Sequence, residues 1–450
     1  MELRENQKLA VLAGINHFKE GNRNALIVAP TAYGKSIVIA HIAKNIHGKT
    51  LVLQPSKELL EQNYDKLISM GGEASIFSAS MNKKEFGDIT YATIGSIVNL
   101  GEVFKEKGYE NLVIDECHLF PRDPFSMFGK FMRDSNITKS LGFTATPFRL
   151  QSYSTMMMGN FSKMVMLTQK SKNPIFFKDI IHLCQIKEMI ESKYWCPLRY
   201  LLYDQDSGDL IFNSTGAEYS IESIEKFYKN QDIEGKIINC LGEIDKKHII
   251  AFIPSVEQAI KLSKIVKNSG VVYSSMQKEE RENVIRKFRS GDVRVVFNVN
   301  ILSTGFNYPE VDCIIMGRPT ASLAWLYQAC GRGTRIFPGK EECLIVDFTG
   351  NITRFGKLED LHYQYNDNKW KLYGSGNRLL TGVRIDEIIP MLSKEHSYKM
   401  PFGKHMGKYI EEIPENYLRW VMKEVKFRTD QEYLKDAILK RIHPEKIGSF

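Results

Sequence analysis

The sequence predicts an α/β protein built from two parallel-sheet units that follow one another along the chain. Short apolar runs such as "ALIVA", "TLVLQ" and "NLVID" alternate with amphipathic helical segments over residues 25–149. After a less regular stretch, the same alternation starts again at "HIIAFI" and continues to "ECLIVDF". Strands that are covered by helices on both faces have this continuous apolar character. At 450 residues the chain is also too long for a single compact core.

The changes of pattern set the expected domain bounds. Residues 1–196 form the first unit, and within it 150–196 are an irregular connecting part rich in methionine and aromatic residues. Residues 197–350 form the second unit, with a hairpin expected at "YDQDSGDLIFN". Residues 351–450 lose the alternation and are expected to form a small appended module. Two such units leave a cleft between them.

The composition excludes several classes of protein. No uncharged apolar run reaches the roughly 18 residues of a membrane span, and the start "MELRENQ" has no signal-peptide core, so an intracellular, cytoplasmic location is expected. The seven cysteines are scattered and include no CxxC pair, which argues against a zinc site or a disulfide framework. A net charge of +8 is compatible with a polyanionic partner without requiring one.

The stretch "APTAYGKS" has the spacing of a phosphate-binding loop between a strand and a helix. Backbone N–H groups of the loop and of the helix start would face phosphates, and Lys35 would reach the outer ones. The Ser36 hydroxyl is a candidate ligand of Mg²⁺. Ala29 stands where the usual pattern begins with glycine, and the turn there does not require one. The expected nucleotide contacts are Pro30, Thr31, Gly34, Lys35 and Ser36.

The quartet "DECH" follows an apolar strand and supplies a pair of carboxylates. Asp115 is expected to hold Mg²⁺, partly through water, and Glu116 to act as the general base that orients the attacking water. Taken alone, two acids can also merely end a strand. Beside a GKS loop, phosphoryl transfer is the better interpretation.

Positive charge on the far side of the γ-phosphate is predicted from "QACGRGTR". Arg332 and Arg335 lie three residues apart and would project from the second unit into the cleft. Hydrolysis would then depend on closure of the two units. A solvated helix end is the alternative for this doublet when it is considered alone.

Several stretches together resemble the helicases of superfamily 2. In chain order they are Gln7, "APTAYGKS", "LVLQPSKELLEQ", "ATIGS", "DECH", "TATP", "AFIPSVEQA", "NVNILSTGFNYPEVD" and "QACGRGTR", covering residues 1 to about 350. The resemblance implies two RecA-like domains that bind ATP between them and a single strand across their top. It is closest to DExH-box DNA helicases, and among those to phage branch-migration helicases.

The resemblance also assigns roles to individual residues. Gln7 is similar to an upstream residue that reads adenine, with Arg4 nearby, and Gly305 belongs to a motif that touches both ATP and the strand. Thr144 and Thr146 match the motif that couples nucleotide state to strand contacts, and Gln328 begins the final motif. Asn300 and Asn307 depart from the acids that are frequent at their positions, which weakens any ribose or arginine-orienting role there.

Candidate phosphate contacts along the nucleic-acid strand lie at helix starts and polar turns. They would grip the backbone rather than the bases, which suits movement that ignores sequence. An ordinary helix cap is the alternative for each of them. They are Pro55, Ser56, Lys57, Thr93, Gly95, Ser96, Ser255, Ser274, Ser303 and Thr304.

The last hundred residues contain "MPFGKHMGKYIEEIPENYLRWV", which resembles a small module found beside nucleases and helicases. Lys404 and Lys408 could contact phosphates while Phe402, Tyr409 and Trp420 stack on bases. The alternative is a small core with solvated lysines. A strand-separating wedge must come from residues 150–172, from the "DQDSGD" turn or from this module, because residues 313–326 are too few to supply one.

The sequence therefore predicts an ATP- and Mg²⁺-dependent DNA helicase that unwinds or branch-migrates forks and junctions in replication, recombination or repair. Its expected partners are single-stranded and branched DNA, with replication or recombination proteins as further candidates and no need for an oligomer. A duplex translocase of the restriction type and an RNA helicase are alternatives with the same motor. A scaffold with an inactive nucleotide site is disfavoured, because Lys35, Glu116, Arg332 and Arg335 are all present.

Overall fold

The computed structural model describes residues 3–21, 23–120, 123–155, 159–170, 175–203, 207–302, 308–385, 388, 400, 402–406, 408, 410, 413–425, 427 and 432–442. Within these residues, two parallel sheets dominate the fold, as the sequence predicts. Among them, no helix is both long enough and apolar enough to cross a membrane. All seven cysteines are buried thiols.

The first sheet has the strand order β10-β1-β7-β6-β2-β5-β3-β4 in the described part of the chain, and its pairings are parallel except for β3 with β4. The central strand β1 is buried along its whole length, and β6 and β7 are buried over their last four and five residues, which explains their apolar sequences. The strands are β1 (Ala25–Val28), β2 (Lys49–Gln54), β3 (Ser75–Ser78), β4 (Lys83–Lys84), β5 (Ile89–Thr93), β6 (Tyr109–Ile114), β7 (Lys139–Thr144) and β10 (Asp179–Leu183).

The second sheet has the order β11-β16-β15-β12-β14-β13 among the described residues, and every pairing in it is parallel. Its strands are β11 (Leu198–Leu202), β12 (Ile249–Phe252), β13 (Ser269–Tyr273), β14 (Val295–Val299), β15 (Cys313–Met316) and β16 (Cys343–Asp347). In both sheets the carboxyl ends of the parallel strands lie at one edge. Ligands of open α/β sheets bind at that edge.

Helices connect the strands, and several begin at a capping side chain. Ser56 accepts from the backbone N–H of Leu59, and Ser255 does the same for Gln258, so both serines satisfy exposed N–H groups at a helix start. In chain order the helices are α1 (Glu5–Glu20), α2 (Lys35–Asn45), α3 (Lys57–Ser69), α4 (Ile94–Ile97), α5 (Gly101–Glu106), α6 (Met127–Ser135), α7 (Ile186–Glu191), α8 (Ile221–Asn230), α9 (Ile233–Glu243), α10 (Val256–Ile265), α11 (Lys278–Ser290), α12 (Leu323–Cys330), α13 (Asn351–Phe355), α14 (Glu415–Glu424) and α15 (Glu432–Ile442).

The segment 150–196 is more regular than the sequence predicts. β8 (Phe148–Thr155) and β9 (Gly159–Met166) form an antiparallel hairpin directly after "TATP", while β10 joins the first sheet beside β1. The methionine-rich text forms a strand that is buried on both faces, since Phe161 and Val165 are buried as well as Ser162, Met164 and Met166. In contrast, the hairpin predicted at residues 203–213 does not form in its described part, which is a short 3₁₀ turn and a bridge from Phe212 to Tyr219.

The predicted single module of residues 351–450 packs in two separate places. β17 (His362–Asn366), β18 (Lys369–Gly374) and β19 (Arg378–Leu379) form a small antiparallel sheet. Leu358, Leu361 and Leu372 from this region belong to the large core that includes the first sheet. The described residues between 400 and 442 have a core of their own, built around Leu418 and Leu434. Loss of strand–helix alternation marks the change of architecture, but it cannot show which surface a segment packs against.

Candidate active site

A cavity of about 530 Å³ lies between the two sheets, at the carboxyl ends of β1 and β6. This volume is within the range of small-molecule sites. Both units contribute to its wall, so predicted residues that are far apart in sequence are brought together. The lining residues are Arg4, Pro30, Thr31, Ala32, Tyr33, Gly34, Lys35, Ser36, Pro55, Ser56, Leu59, Gln62, Asp115, Glu116, Leu119, Ala145, Tyr194, Pro309, Gln328, Arg332, Arg335 and Ile336.

The phosphate loop follows β1 and ends where α2 begins. Ala29, which replaces the usual glycine, is fully buried and its N–H donates to the Thr144 carbonyl at 3.0 Å. The left-handed backbone of the loop falls instead on Ala32, with φ of 60°, and on Gly34, with φ of 93°. A Cβ at Gly34 would also lie 2.6 Å from Gln7 Nε2, so glycine is needed there both for its backbone and for space.

Lys35 and Glu116 form an ion pair across this site, with 3.0 Å between Lys35 Nζ and Glu116 Oε1. Burial by itself would raise the pKa of Glu116, but the ammonium of Lys35 brings it below its usual value. Burial and the Glu116 charge raise the pKa of Asp115 to about 6. The second oxygen of Glu116 accepts no hydrogen bond from the described residues, although His118 Nδ1 lies 3.4 Å from it, so it can accept one from a water molecule.

Asp115 is held in one orientation by two donors. Asn63 Nδ2 on α3 donates to Asp115 Oδ2 at 2.8 Å, and the Glu116 N–H donates to Oδ1 at 2.9 Å. Asn63 is 1% exposed and was not found by sequence reasoning, since an asparagine inside an amphipathic helix gives no signal of its partner.

The site is compatible with Mg²⁺ bound together with a nucleotide. The described residues contain no group of three or more His, Cys, Asp or Glu side chains that could hold a metal by themselves. Mg²⁺ in nucleotide sites takes one or two protein oxygens and completes its shell with phosphate and water. The Asp115 carboxylate and the Ser36 hydroxyl, both in the cavity wall, supply such oxygens.

Two arginines enter the cavity from the second unit, but α12 ends at Cys330, so they lie in the turn after the helix rather than on it. Arg332 is 8% exposed and its Nε donates to the Gln328 carbonyl at 3.3 Å. Burial and the nearby charge of Arg335 lower the pKa of Arg332 to about 9, which leaves it cationic at neutral pH. The backbone of the second unit lies close to the phosphate loop here, because a Cβ added at Gly331 would lie 2.6 Å from Thr31 Oγ1.

His118, the last residue of "DECH", connects three predicted motifs. Its Nδ1 lies 2.8 Å from Thr144 Oγ1, and its Nε2 lies 3.1 Å from Gln328 Nε2. Burial lowers the pKa of His118 to about 4, so the ring is neutral and donates to Thr144 while it accepts from Gln328. The Thr144 hydroxyl also accepts from the N–H of the predicted coupling residue Thr146. Sequence reasoning had not assigned His118 a role.

The far end of the cavity is formed by Arg4 and Tyr194. The Arg4 guanidinium lies 3.8 Å from the centre of the Tyr194 ring. Gln7 is only 3% exposed, and its amide donates to the Tyr33 carbonyl and accepts from the Arg4 N–H. Gln7 therefore stabilises the phosphate loop in this structure. The stacked Arg4 and Tyr194 side chains provide a flat surface in the cavity wall. Tyr194 lies in the connection between the units and had not been predicted.

The predicted strand contacts are distributed over both sheet edges. Pro55 and Ser56 line the nucleotide cavity itself. Lys57 pairs with Glu61, and Thr93 bonds to Ser96, whose hydroxyl accepts from the Ala79 N–H. A Cβ at Gly95 would meet open space. Ser255 is a helix cap after β12, and Ser274 is exposed after β13.

Some predicted residues lie elsewhere. Ser303, Thr304, Gly305 and Asn307 fall outside the described residues, as do Tyr409 and the methionines 156–158. Lys404 and Lys408 are exposed on the separate C-terminal core. They are therefore candidates for a second contact surface rather than part of the cavity.

Two family profiles match the chain in the order of its two sheets. The profile described as "Type III restriction enzyme, res subunit" matches residues 1–149, and that described as "Helicase conserved C-terminal domain" matches residues 210–337. The chain belongs to helicase superfamily 2. A third profile, of a family described as a quorum-sensing-regulated virulence factor, matches residues 390–428 and overlaps the C-terminal core.

Relatives of this superfamily 2 chain include proteins of yeast, phage and archaea. A Saccharomyces cerevisiae protein, provisionally named ATP-dependent helicase IRC3, is 24% identical over 373 residues, which are 77% of this chain and 51% of that protein. The "51.5 kDa protein" of a Lactococcus phage is 26% identical over 78% of this chain and 72% of its own length. The "DNA 3'-5' translocase XPB2" of Sulfurisphaera tokodaii is 25% identical over 70% and 75%.

The chain thus spans about half the length of the yeast relative. A phage relative is present, but its name states no activity, so the predicted likeness to branch-migration helicases stays a prediction.

Solved structures show that the superfamily 2 fold is shared with restriction enzymes. The DNA-bound Type ISP restriction-modification enzyme LlaBIII matches with a TM-score of 0.57 and 17% identity, covering 78% of this chain and 28% of that one. A fragment of an HsdR subunit of a type I restriction enzyme from Vibrio vulnificus matches with a TM-score of 0.58 and 18% identity, covering 78% and 65%. These likenesses confirm the two tandem RecA-like domains.

Proposed function

We propose that the protein is an ATP-dependent DNA motor that hydrolyses ATP between its two RecA-like units and uses the energy to move along DNA. On this proposal its substrates are forked and junction DNA, which it unwinds or branch-migrates. The single observation that carries the proposal is the shared cavity. Lys35, Asp115 and Glu116 from one unit face Arg332 and Arg335 from the other.

The residues of the cavity suit each part of phosphoryl transfer. The loop N–H groups at the start of α2 and the Lys35 ammonium bind the phosphates, while Ser36 and Asp115 hold the metal. Mg²⁺, when bound, neutralises phosphate charge. Glu116 presents its unpartnered oxygen to a water molecule and takes a proton as that water attacks the γ-phosphate. Arg332 and Arg335 stabilise the negative charge of the transition state, and the products are ADP and inorganic phosphate.

Coupling to movement would use the contact between His118, Thr144 and Gln328. This chain of hydrogen bonds joins the acid motif, the "TATP" motif and α12, the helix that precedes the arginines, across the interface. When a nucleotide draws the arginines toward the γ-phosphate, the same motion changes the distance between strand contacts on the two sheets. On this proposal, polar groups of Thr93 and Ser96 on one sheet and of Ser255 on the other would make such contacts.

DNA is the favoured track because relatives in this superfamily carry DNA in their names, among them the Sulfurisphaera translocase. The β8–β9 hairpin is our candidate for the strand-separating wedge, since it leaves the first sheet directly after "TATP". Its rings of Tyr153 and Phe161 stack at 5.6 Å and 17°. A base at a fork could stack against the half-buried Tyr153 ring, which rests on the buried ring of Phe161.

A duplex translocase that separates no strands is the second candidate. It is favoured by the match of residues 1–149 to a restriction subunit and by the two restriction-enzyme folds. Both candidates share the ATP site, so only the coupling to DNA distinguishes them.

The test is ATP turnover with no nucleic acid, with single-stranded DNA, duplex DNA, a four-way DNA junction and RNA, with strand separation followed in parallel. Strongest stimulation by the junction, with ATP-dependent separation, supports the leading proposal. Stimulation by duplex without separation supports the translocase, and stimulation by RNA alone contradicts both. Glu116→Gln should remove ATP turnover and strand separation. Glu110→Gln, at an exposed glutamate of β6, the strand that precedes Glu116, should leave both unchanged.

A further inference from the structure

The connection between the two units touches both sides of the nucleotide cavity through Trp195. The indole Nε1 donates to the Thr31 carbonyl in the phosphate loop at 2.8 Å. The backbone of Trp195 forms an antiparallel bridge with Arg335. The next residue, Cys196, donates its N–H to the Thr334 carbonyl at 2.9 Å. Residues 195–196 are therefore bonded to the phosphate loop through the Trp195 side chain. Their backbone is bonded to residues 334–335, which we call the arginine segment.

Trp195 is well suited to fix a distance. It is 2% exposed, so packing restricts the ring, and an indole has only two side-chain torsions. Its ring centre lies 6.2 Å from that of Tyr327, which precedes Gln328 on α12. The ring is thus held between the loop that carries Lys35 and the helix that leads to Arg332.

The attachment of this connection continues into the second sheet. The Cys343 N–H at the start of β16 donates to the Pro197 carbonyl at 2.9 Å, and Cys196 Sγ donates to the Gly333 carbonyl at 3.2 Å. Residues 195–197 are consequently attached to residues 333–335 and to the second sheet, while the Trp195 N–H also donates to the Met189 carbonyl on α7 at 3.1 Å. The indole hydrogen bond to Thr31 is then one of the contacts by which this body meets the phosphate loop of the first unit, beside the close approach of Gly331 to Thr31.

We propose that Trp195 is a positioning residue that sets the spacing between the phosphate loop and the arginines of the second unit. This inference rests on the proposed ATP hydrolysis and adds to it a residue that does not touch the nucleotide's reacting atoms. Arg332 and Arg335 act on charge that develops at the γ-phosphate, so their position matters more in the transition state than in the ground state. Trp195 acts through them.

The main test is Trp195→Phe, which keeps a buried ring and removes the N–H. We expect kcat to fall about tenfold, the loss that one hydrogen bond can produce, with little change in the KM for ATP. Binding of ADP with aluminium fluoride, which mimics the transition state, should weaken by a similar factor, while binding of ADP alone should not. The matched control is Trp370→Phe, because the Trp370 indole N–H has no partner among the described residues.

A double-mutant cycle separates positioning from general packing. In a background that carries both Arg332→Ala and Arg335→Ala, Trp195→Phe should cause little further loss of kcat, since both groups that it positions are gone. Additive losses, or equal weakening of ADP and of the transition-state mimic, would overturn the inference. If Trp195→Phe does not fold, 3-benzothienylalanine at position 195 replaces the N–H by sulfur in the same shape, and the same outcomes apply.

This test is distinguishable from the test of the proposed function. A wild-type protein that hydrolyses no ATP on any nucleic acid contradicts the motor itself. A wild-type motor whose Trp195→Phe variant matches it in kcat and in binding of the transition-state mimic contradicts only the role of Trp195.

Discussion

His118 and Gln328 join the two RecA-like units by a direct contact of 3.1 Å between His118 Nε2 and Gln328 Nε2. The two residues are 210 positions apart in the chain. On its other side His118 is bonded to Thr144, which lies at the end of β7 beside the phosphate loop. The contact links the acid motif of one unit to α12 of the other, the helix that precedes the arginines. A displacement of either unit therefore changes the contacts of the other.

His118→Ala should uncouple ATP hydrolysis from DNA. The substitution leaves Lys35, Glu116 and the arginines in place but removes the connection between Thr144 and Gln328. We expect stimulation of turnover by DNA to fall about tenfold, a typical coupling between two sites, with a smaller change in turnover without DNA. The measurement is the ratio of the two rates. His362→Ala in the small sheet is the control, and a ratio that falls equally in both variants contradicts the role of His118.

The same histidine should make the fold sensitive to acid. Burial lowers its pKa to about 4, whereas in the unfolded chain it is near 6.5. Between these values the unfolded chain binds a proton that the folded chain does not, so this residue reduces stability as pH falls. His118→Asn lacks the proton, and its melting temperature should fall less steeply than that of the wild type from pH 6.5 to 5. Parallel curves would contradict the buried neutral state. Asp115 is present in both proteins, so the effect of its titration on the melting temperature cancels in the comparison.

Glu116→Gln should abolish turnover and retain nucleotide binding. The amide cannot take the proton of the attacking water, and loss of a general base typically costs about 10²–10⁴-fold in rate. Lys35 is released from its ion pair, so binding of ATP should be no weaker than in the wild type. Single-turnover hydrolysis and equilibrium binding of ATP measure the two effects. Full turnover in the variant would show that another group activates the water.

The sequence predicts the structure well where a feature is built from residues that are neighbours in the chain. The loop "APTAYGKS" is a strand, a turn and a helix start within a few residues, so its spacing alone fixes its shape. The acid pair and the arginines, each of which follows a recognisable strand or helix, also line this cavity, while their catalytic roles stay predictions. Their meeting in one cavity followed from the rule that parallel strands end at one edge.

The parts that escaped prediction depend on contacts between distant segments. Nothing in the text around Trp195 shows that its indole meets Thr31, 164 positions earlier. The leucines 358, 361 and 372 belong to the main core although their segment has lost the alternation of an α/β unit. The β8–β9 hairpin was missed because β9 is buried on both faces, which blurs the apolar period of two.

Arg335→Ala should slow hydrolysis strongly while sparing ADP binding. Arg335 lies in the cavity wall, and burial lowers its pKa. An arginine that stabilises the transferring phosphoryl group contributes about 10³-fold or more to kcat. Added guanidinium should restore part of the rate, as it would fill the space left by the side chain. Arg286→Ala on the exposed face of α11 is the control. If Arg335→Ala hydrolyses ATP as fast as this control and added guanidinium does not change its rate, the assignment is contradicted.

Replacement of Lys404 and Lys408 together by alanine should weaken DNA binding without affecting the ATP site. Both lysines are exposed on a core that is separate from the two sheets, near the exposed ring of Trp420. If each contacts a phosphate, the slope of log affinity against log salt should fall by about 2. The control replaces Lys19 and Lys264, two exposed lysines of the main units, which makes the same change in charge. Equal slopes for the two double variants would show that the lysines act only through net charge.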